Sequence, residues 1–237
     1  MPMQHLERDL RQYLLATRPA IYSTATLRQT FLTHPSVSIQ AALRRLVAQG
    51  DVARVSRGRY TAIDPATSSP TAHSWAQALA PFRTAAIAGY TALSHWQLTT
   101  QLPSVIDVAV LQGVHHRPSY SSIARVRLIV VPPGEWFGVQ DVWIADGERV
   151  AMFSRSRILF DMFIRPARYG GWGNAMETLE VAHHELDLPL RELTDTAALS
   201  HSPLAIRRYL RGLREVYGNQ PELEQLSKLA EQRQTEK

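Results

Sequence analysis

The sequence predicts an α+β protein in two parts, and three observations carry that prediction. Residues 36–60 read as a helix, a Gly stop and an arginine-rich hairpin; residues 104–153 alternate as strands; residues 154–218 place apolar side chains at helical spacing. The expected organisation is a three-helix module with a wing over 1–64 and a linker over 65–74. A C-terminal α/β domain follows over 75–218, with a mostly antiparallel sheet and a helical C-terminal part, and then a polar tail over 219–237.

In the first part, His5 to Ala16 has Leu6, Leu10, Tyr13 and Leu14 at helical spacing, and Ser23 to Leu32 has Leu27, Phe31 and Leu32 behind a Ser/Thr start. Thr33-His34-Pro35 breaks the chain before a third helix, Ser36 to Ala48. Ser36 suits the N-cap, where its hydroxyl can accept from an orphan amide, and Gly50 suits the left-handed stop. At about 100° per residue, Ile39, Ala42, Leu43, Leu46 and Val47 share the core face. Val37, Gln40, Ala41 and Arg44 fall opposite, with Arg45 at their flank and Ser36 and Ser38 at the start of the helix. Those residue types read base edges: Gln pairs with adenine, Arg with guanine, and Val or Ala methyls meet the thymine methyl. Beyond Asp51, Val52-Ala53-Arg54-Val55 alternates, Ser56-Arg57-Gly58 turns, and Arg59 to Ile63 returns. An isolated arginine hairpin reads as a solvated loop. Behind this helix, Arg54, Arg57 and Arg59 read as a wing that lies on phosphates together with Arg45, so the module is expected to be a winged helix-turn-helix that binds double-stranded DNA.

The charge is placed accordingly. The chain of 237 residues carries a formal +5. Residues 1–64 hold nine arginines against four acids (Glu7, Asp9, Asp51 and Asp64), leaving 17 of the 26 basic and 17 of the 21 acidic residues beyond. The whole excess therefore sits on the first module. Cysteine is absent, which excludes disulfides and thiolate chemistry. The start, MPMQHLERDL, is charged where a signal peptide needs an apolar run, and no stretch approaches the ~20 apolar residues of a membrane span. A cytoplasmic protein is expected.

Asp64 to Ser74 is rich in Pro, Ser, Thr and Ala without periodicity and reads as the linker. A helix is expected around Gly89 to Leu98. In Ser104 to Leu111, Ile106, Val108 and Val110 share one face with Asp107 opposite; in Ile123 to Val131, Ala124, Val126, Leu128 and Val130 share one face with Arg125 and Arg127 opposite. Val139 to Ile144 and Val150 to Phe153 flank Asp146-Gly147, a pair suited to a type I′ turn. Ile158, Leu159, Met162 and Phe163 then form an amphipathic stripe, and further helices are expected over Asn174 to Glu185, Leu190 to Leu199 and Pro203 to Val216. Leu223, Leu226 and Leu229 leave the tail between a weak helix and a frayed end.

Catalytic patterns are missing. Asp107 and Asp141 invite a nuclease reading, but the restriction-type core needs a Lys two positions after its acid, and the two lysines, Lys228 and Lys237, lie in no strand. His115-His116 and His183-His184-Glu185 lack the i, i+4 spacing of helical zinc ligands, apart from the single weak pair His183 and Asp187, and read as surface residues. Tyr169-Gly170-Gly171-Trp172-Gly173 lacks the Lys-Ser/Thr of a P-loop and reads as a turn before a helix. Trp96, Trp136, Trp143 and Trp172 read as core or interface residues. A non-enzymatic protein without cofactor or metal is expected.

The order of the parts is itself informative. The winged segment ending VARVSRGRY is followed by Ala88 to Thr99 (AGYTALSHWQLT), then Gln101-Leu102-Pro103 and a strand, then a hairpin into Phe153 to Met162, then Tyr169 to Gly173. Over residues 5–215 this order resembles AbiEi-type antitoxins, the antitoxin half of type IV toxin-antitoxin and phage abortive-infection modules. The match thins at Glu148-Arg149 and beyond Gly218. The resemblance implies an N-terminal domain that binds repeats in its own promoter and represses the operon, and a C-terminal domain that counteracts a nucleotidyltransferase-like toxin. One winged helix has a small footprint, so a homodimer on an inverted repeat is expected. The runner-up is a ligand-sensing winged-helix transcriptional regulator with no toxin partner.

Overall fold

A computed structural model describes residues 2–16, 20–114, 125–144 and 147–235. The α+β class holds, with a helix-rich chain carrying two sheets. The described residues cluster into two compact units: residues 2–16 and 20–83 with Val114, Arg125, 142–144 and 147–150 form the first, and residues 84–113, 126–141 and 151–235 form the second. Among the described residues no helix is long and apolar enough to cross a membrane.

In the first unit, α1 (Pro2–Ala16), α2 (Thr24–Thr30) and α3 (Ser36–Gln49) converge on one apolar core. Leu6, Leu10 and Leu14 come from α1, Leu27 from α2, and Ile39, Ala42, Leu43 and Leu46 from α3. Each buried Leu or Ile contributes about 1.5–3 kcal/mol through removal from water. Strands β1 (Tyr22–Ser23), β2 (Val52–Ser56) and β3 (Arg59–Asp64) form an antiparallel sheet in the order β1-β3-β2, and Tyr22, Val52 and Ala62 close the core from that side. Two residues expected in the core lie outside it. Leu32 is 81% exposed because α2 stops at Thr30 and Phe31 leaves the helical path; Val47 is 37% exposed at the margin of the α3 stripe.

The run read as a linker is bound to this unit. Strand β4 (Ser69–Pro70) pairs with the end of β3, Ala72 N–H donates to Thr61 Oγ1 at 3.2 Å, and the chain enters α4 (Ser74–Leu79) directly. A composition typical of loops thus found backbone partners on a free sheet edge, where proline is tolerated.

The second unit holds β5 (Ala85–Ile87), β6 (Ile106–Leu111), β7 (Val126–Val131) and the greater part of β8 (Val139–Trp143) and β9 (Arg149–Phe153), in sheet order β7-β6-β5-β9-β8. The sheet is mixed where a mostly antiparallel one was expected: β5 runs antiparallel to β6, but β6 with β7 and β5 with β9 are parallel. Residues 112–125 between β6 and β7 are as many as a parallel crossover requires, far more than a hairpin needs. Strand β7 also turns the other way from the sequence reading. Ile129 and Val131 are buried while Leu128 and Val130 are 36% and 58% exposed. The cause is Asp107, which pairs in register with Arg127 and draws its guanidinium inward; with a side-chain period of two, that one contact sets the facing of the whole strand. Ile123, Ala124 and Asp146 of the expected strand and turn lie outside the described residues.

Helix α6 (Arg155–Ile164) is more than an amphipathic stripe. Residues 156–163 are all buried, and the helix packs against α5 (Gly89–His95), α7 (Trp172–His184), α8 (Leu190–Ala198) and α9 (Pro203–Tyr217). The tail resolves to a helix, α10 (Pro221–Thr235), with Leu223, Leu226 and Ala230 buried. Arg233 of α10 donates to the carbonyls of Ala198, at 2.9 Å, and Ser200, satisfying groups that the end of α8 leaves open.

Candidate nucleic-acid interface

Helix α3 enters from Pro35, which occupies the N-cap in place of Ser36. The Pro35 carbonyl accepts from Ser38 N–H at 2.9 Å and Ile39 N–H at 3.2 Å, so the helix begins one residue earlier than the serine rule suggests and Ser36 becomes an exposed first-turn residue. The helix closes as expected on Gly50, left-handed at φ 81°, whose N–H reaches the Leu46 and Val47 carbonyls.

Between those ends the two faces separate cleanly. Ile39, Ala42, Leu43 and Leu46 are at most 2% exposed, whereas Val37 is 70% exposed and Gln40 and Arg44 are exposed. Ser38 and Ala41 are half-buried at the margins. Arg44 Nε lies 3.4 Å from the Gln40 carbonyl, one turn back, which keeps its side chain along the outward face. Arg45 is exposed but engaged: its Nη1 meets Glu7 Oε1 of α1 at 2.9 Å.

The hairpin is mounted on α2. Gly58, at φ 73°, makes the turn, and its carbonyl accepts from both Thr24 N–H (2.8 Å) and Thr24 Oγ1 (3.1 Å) at the first residue of that helix. A bulge between Arg54 and Ser56 lets Val55 bury beside the core while Arg54, Arg57 and Arg59 remain exposed. Arg54 Nε reaches the Ser56 carbonyl at 3.3 Å. The expected wing is therefore a hairpin anchored at its tip rather than a loose loop.

Three acids of this unit are engaged by other arginines. Asp9 pairs with Arg8 (3.5 Å), Asp51 with Arg11 (3.0 Å) and Glu7 with Arg45. Arg44, Arg54, Arg57 and Arg59 form no ion pair among the described residues. Sequence reading missed the Thr24 anchor and the Glu7 tie, since no periodicity links residues 34 or 38 positions apart. It also did not nominate Arg28, exposed near the end of α2.

The rival sites lead to structural roles. Asp107 is fully buried; Arg127 donates to it from Nε (2.5 Å) and Nη2 (2.7 Å), and Tyr90 N–H donates at 2.8 Å, so the carboxylate ties β6 to β7 and to the start of α5. Its hydrogen bond holds the Arg127 guanidinium above its ordinary range. Gly89, at φ 55°, leaves the room this contact needs, since a Cβ there would stand 2.7 Å from Asp107 Cγ. Among the described residues no three His, Asp or Glu side chains are grouped to hold a metal ion. The His183 ring lies 4.4 Å from that of Tyr217, tilted by 54°, and His115-His116 lie outside the described residues. Gly170 and Gly171 take φ 80° and 99°, and Asn174 Nδ2 closes the turn onto the Tyr169 carbonyl at 2.7 Å, with α7 already begun at Trp172. Trp96 donates to the Phe153 carbonyl at 2.8 Å, while Trp143 is 65% exposed beside Arg149.

No family model and no curated protein matches this chain in sequence. Its fold is shared with the crystal structure of the RV2827C protein from Mycobacterium tuberculosis, at TM-score 0.64 and 15% identity, over 95% of this chain and 81% of that one.

Proposed function

We propose that this chain is an AbiEi-type antitoxin and a DNA-binding autorepressor, not an enzyme. Its first unit acts as a winged helix-turn-helix. Helix α3 enters a major groove with Gln40 and Arg44 on base edges and Val37 and Ala41 against methyl groups, while Arg54, Arg57 and Arg59 lie on phosphates. The observation that carries the reading is electrostatic. Glu7, Asp9 and Asp51 pair with Arg45, Arg8 and Arg11, and among the described residues the outward arginine of α3 and those of the hairpin form no ion pair. Four exposed cations on one module suit a polyanion. The antitoxic role of the second unit, against a nucleotidyltransferase-like toxin, rests on the order of motifs from Ala88 to Gly173.

The test is binding of the purified chain to DNA from upstream of its own gene against scrambled DNA across a salt series. Selective binding with a steep salt slope is expected, followed by rescue of cells from a co-expressed toxin encoded beside it. Equal, weak binding to both DNAs would overturn the repressor role, and failure of rescue would overturn the antitoxin role.

A further inference from the structure

A cleft of about 420 Å³ in the second unit has two unlike walls. Phe163 of α6, Pro166 of the following turn and Trp172 at the start of α7 form an apolar wall; Arg207, Arg208 and Arg211 of α9 form a cationic one. Gly212 brings the walls together, because a Cβ there would stand 2.8 Å from Phe163 Cζ, so α9 approaches α6 at a distance only glycine allows. The Arg211 guanidinium lies 5.1 Å over the Trp172 ring, and Phe163 meets that ring edge-on at 5.0 Å.

The fold does not account for the cations. Arg207 and Arg211 stand four apart, a like-charge spacing that weakens a helix. Arg211 has Glu215 at 3.3 Å on the exposed side, but neither Arg207 nor Arg208 has a carboxylate partner among the described residues. Arg207 contacts Gln234, and Arg208 Nη1 lies 3.5 Å from the Ile164 carbonyl. Guanidinium forks match pairs of phosphate oxygens, an aromatic-lined wall suits a base or sugar, and the volume falls among those of small-ligand sites.

We infer that this cleft binds a nucleotide, its phosphates on Arg207, Arg208 and Arg211 and its base against the part-exposed Trp172, which the buried Phe163 backs. The site goes beyond the DNA-binding reading and does not depend on it.

The experiment is calorimetric titration of the full chain with ADP, adenosine and inorganic phosphate. ADP should bind more tightly than either fragment and weaken as salt rises. Arg208→Ala and Arg211→Ala should each loosen ADP by about tenfold, the loss of one charge-assisted bond, while Arg191→Ala on α8 leaves it unchanged. These side chains are exposed, so the variants keep the fold. Absence of ADP binding, ADP no tighter than inorganic phosphate, or full affinity in Arg208→Ala would overturn the assignment. So would a loss of DNA affinity in Arg208→Ala without ADP binding, which would give these arginines to nucleic acid.

Discussion

Two groups of arginines, one in each unit, stand in opposite environments. In the first unit Arg44, Arg54, Arg57 and Arg59 are exposed and form no ion pair among the described residues. In the second, Arg157 is fully buried, with its guanidinium 4.6 and 4.8 Å from the rings of Phe137 and Phe153, and Arg157, Arg165 and Arg168 converge on Asp161. Arg157 Nη1 lies 3.4 Å from Asp161 Oδ1, Arg165 donates to the same oxygen, and Tyr169 donates its hydroxyl to Oδ2 at 2.6 Å. A buried cation must be paired or the fold fails, whereas an exposed unpaired one is left for a partner. The neutral balance of residues 65–237 thus conceals some charges that hold the interior together, while the arginines on the outward side of α3 and on the hairpin are charge the interior does not need.

The largest expected effect comes from removing the anion at the centre of the buried cluster. Asp161→Asn keeps the shape and strips the charge, leaving Arg157 uncompensated, and should cost about 3–5 kcal/mol in urea denaturation. The pH dependence follows. Burial works to raise the Asp161 pKa, but Arg157, Arg165, the Tyr169 hydroxyl and Arg168 together outweigh it and hold the group below its ordinary range. A depressed carboxylate stabilises the fold above its unfolded pKa, so this contribution is complete above about pH 5 and is lost as the pH falls through 4 and below. In the variant that part of the acid sensitivity should vanish. A loss under about 1 kcal/mol would mean that Arg157 finds water, and would remove the distinction between the two sets of arginines.

That distinction was only half legible in the sequence. The α3 stripe, the Gly50 stop and the hairpin were readable because they depend on neighbours within a turn or two, and four arginines on the outward side of such elements stay outward. Arg157 and Asp161 sit i, i+4 on a segment whose apolar residues suggested one buried stripe, and nothing local says that helices close over the remaining faces. Strand β7 shows the same limit. Its alternation was read correctly and its facing inverted, because the choice between Leu128 and Ile129 for the interior was made by Asp107 on another strand. Ser36 failed for a different reason: several residues near a helix start can cap, and Pro35 supplies its carbonyl one position earlier.

Within the exposed set, two variants separate reading from holding. Arg44→Ala should cost about 1–3 kcal/mol of operator binding and relax base choice at one position. Arg57→Ala should weaken operator and scrambled DNA alike and lower the salt slope by about one. Neither should move the urea midpoint, since both side chains are exposed and form no ion pair among the described residues. Full operator affinity in both would remove α3 and the hairpin from the interface, and a shifted midpoint in either would place it with the structural arginines.

Arg45 stands between the two classes and gives the smallest effect. It was expected on phosphates, and the structure pairs it with Glu7 on α1 at 2.9 Å while its side chain remains 51% exposed. An exposed ion pair of this kind contributes at most about 1 kcal/mol to the fold, so Glu7→Gln should lower stability only slightly. If Arg45 also reaches DNA, releasing it removes a competing carboxylate and adds one net positive charge at the flank of α3. Operator binding should then tighten by a few-fold at low salt, with the gain fading as salt screens it. The double variant Glu7→Gln with Arg45→Ala discriminates between the two roles. Loss of the gain in the double variant places Arg45 on the phosphates, whereas persistence of the gain assigns it to the general field of the unit and leaves Arg45 a structural tie between α1 and α3.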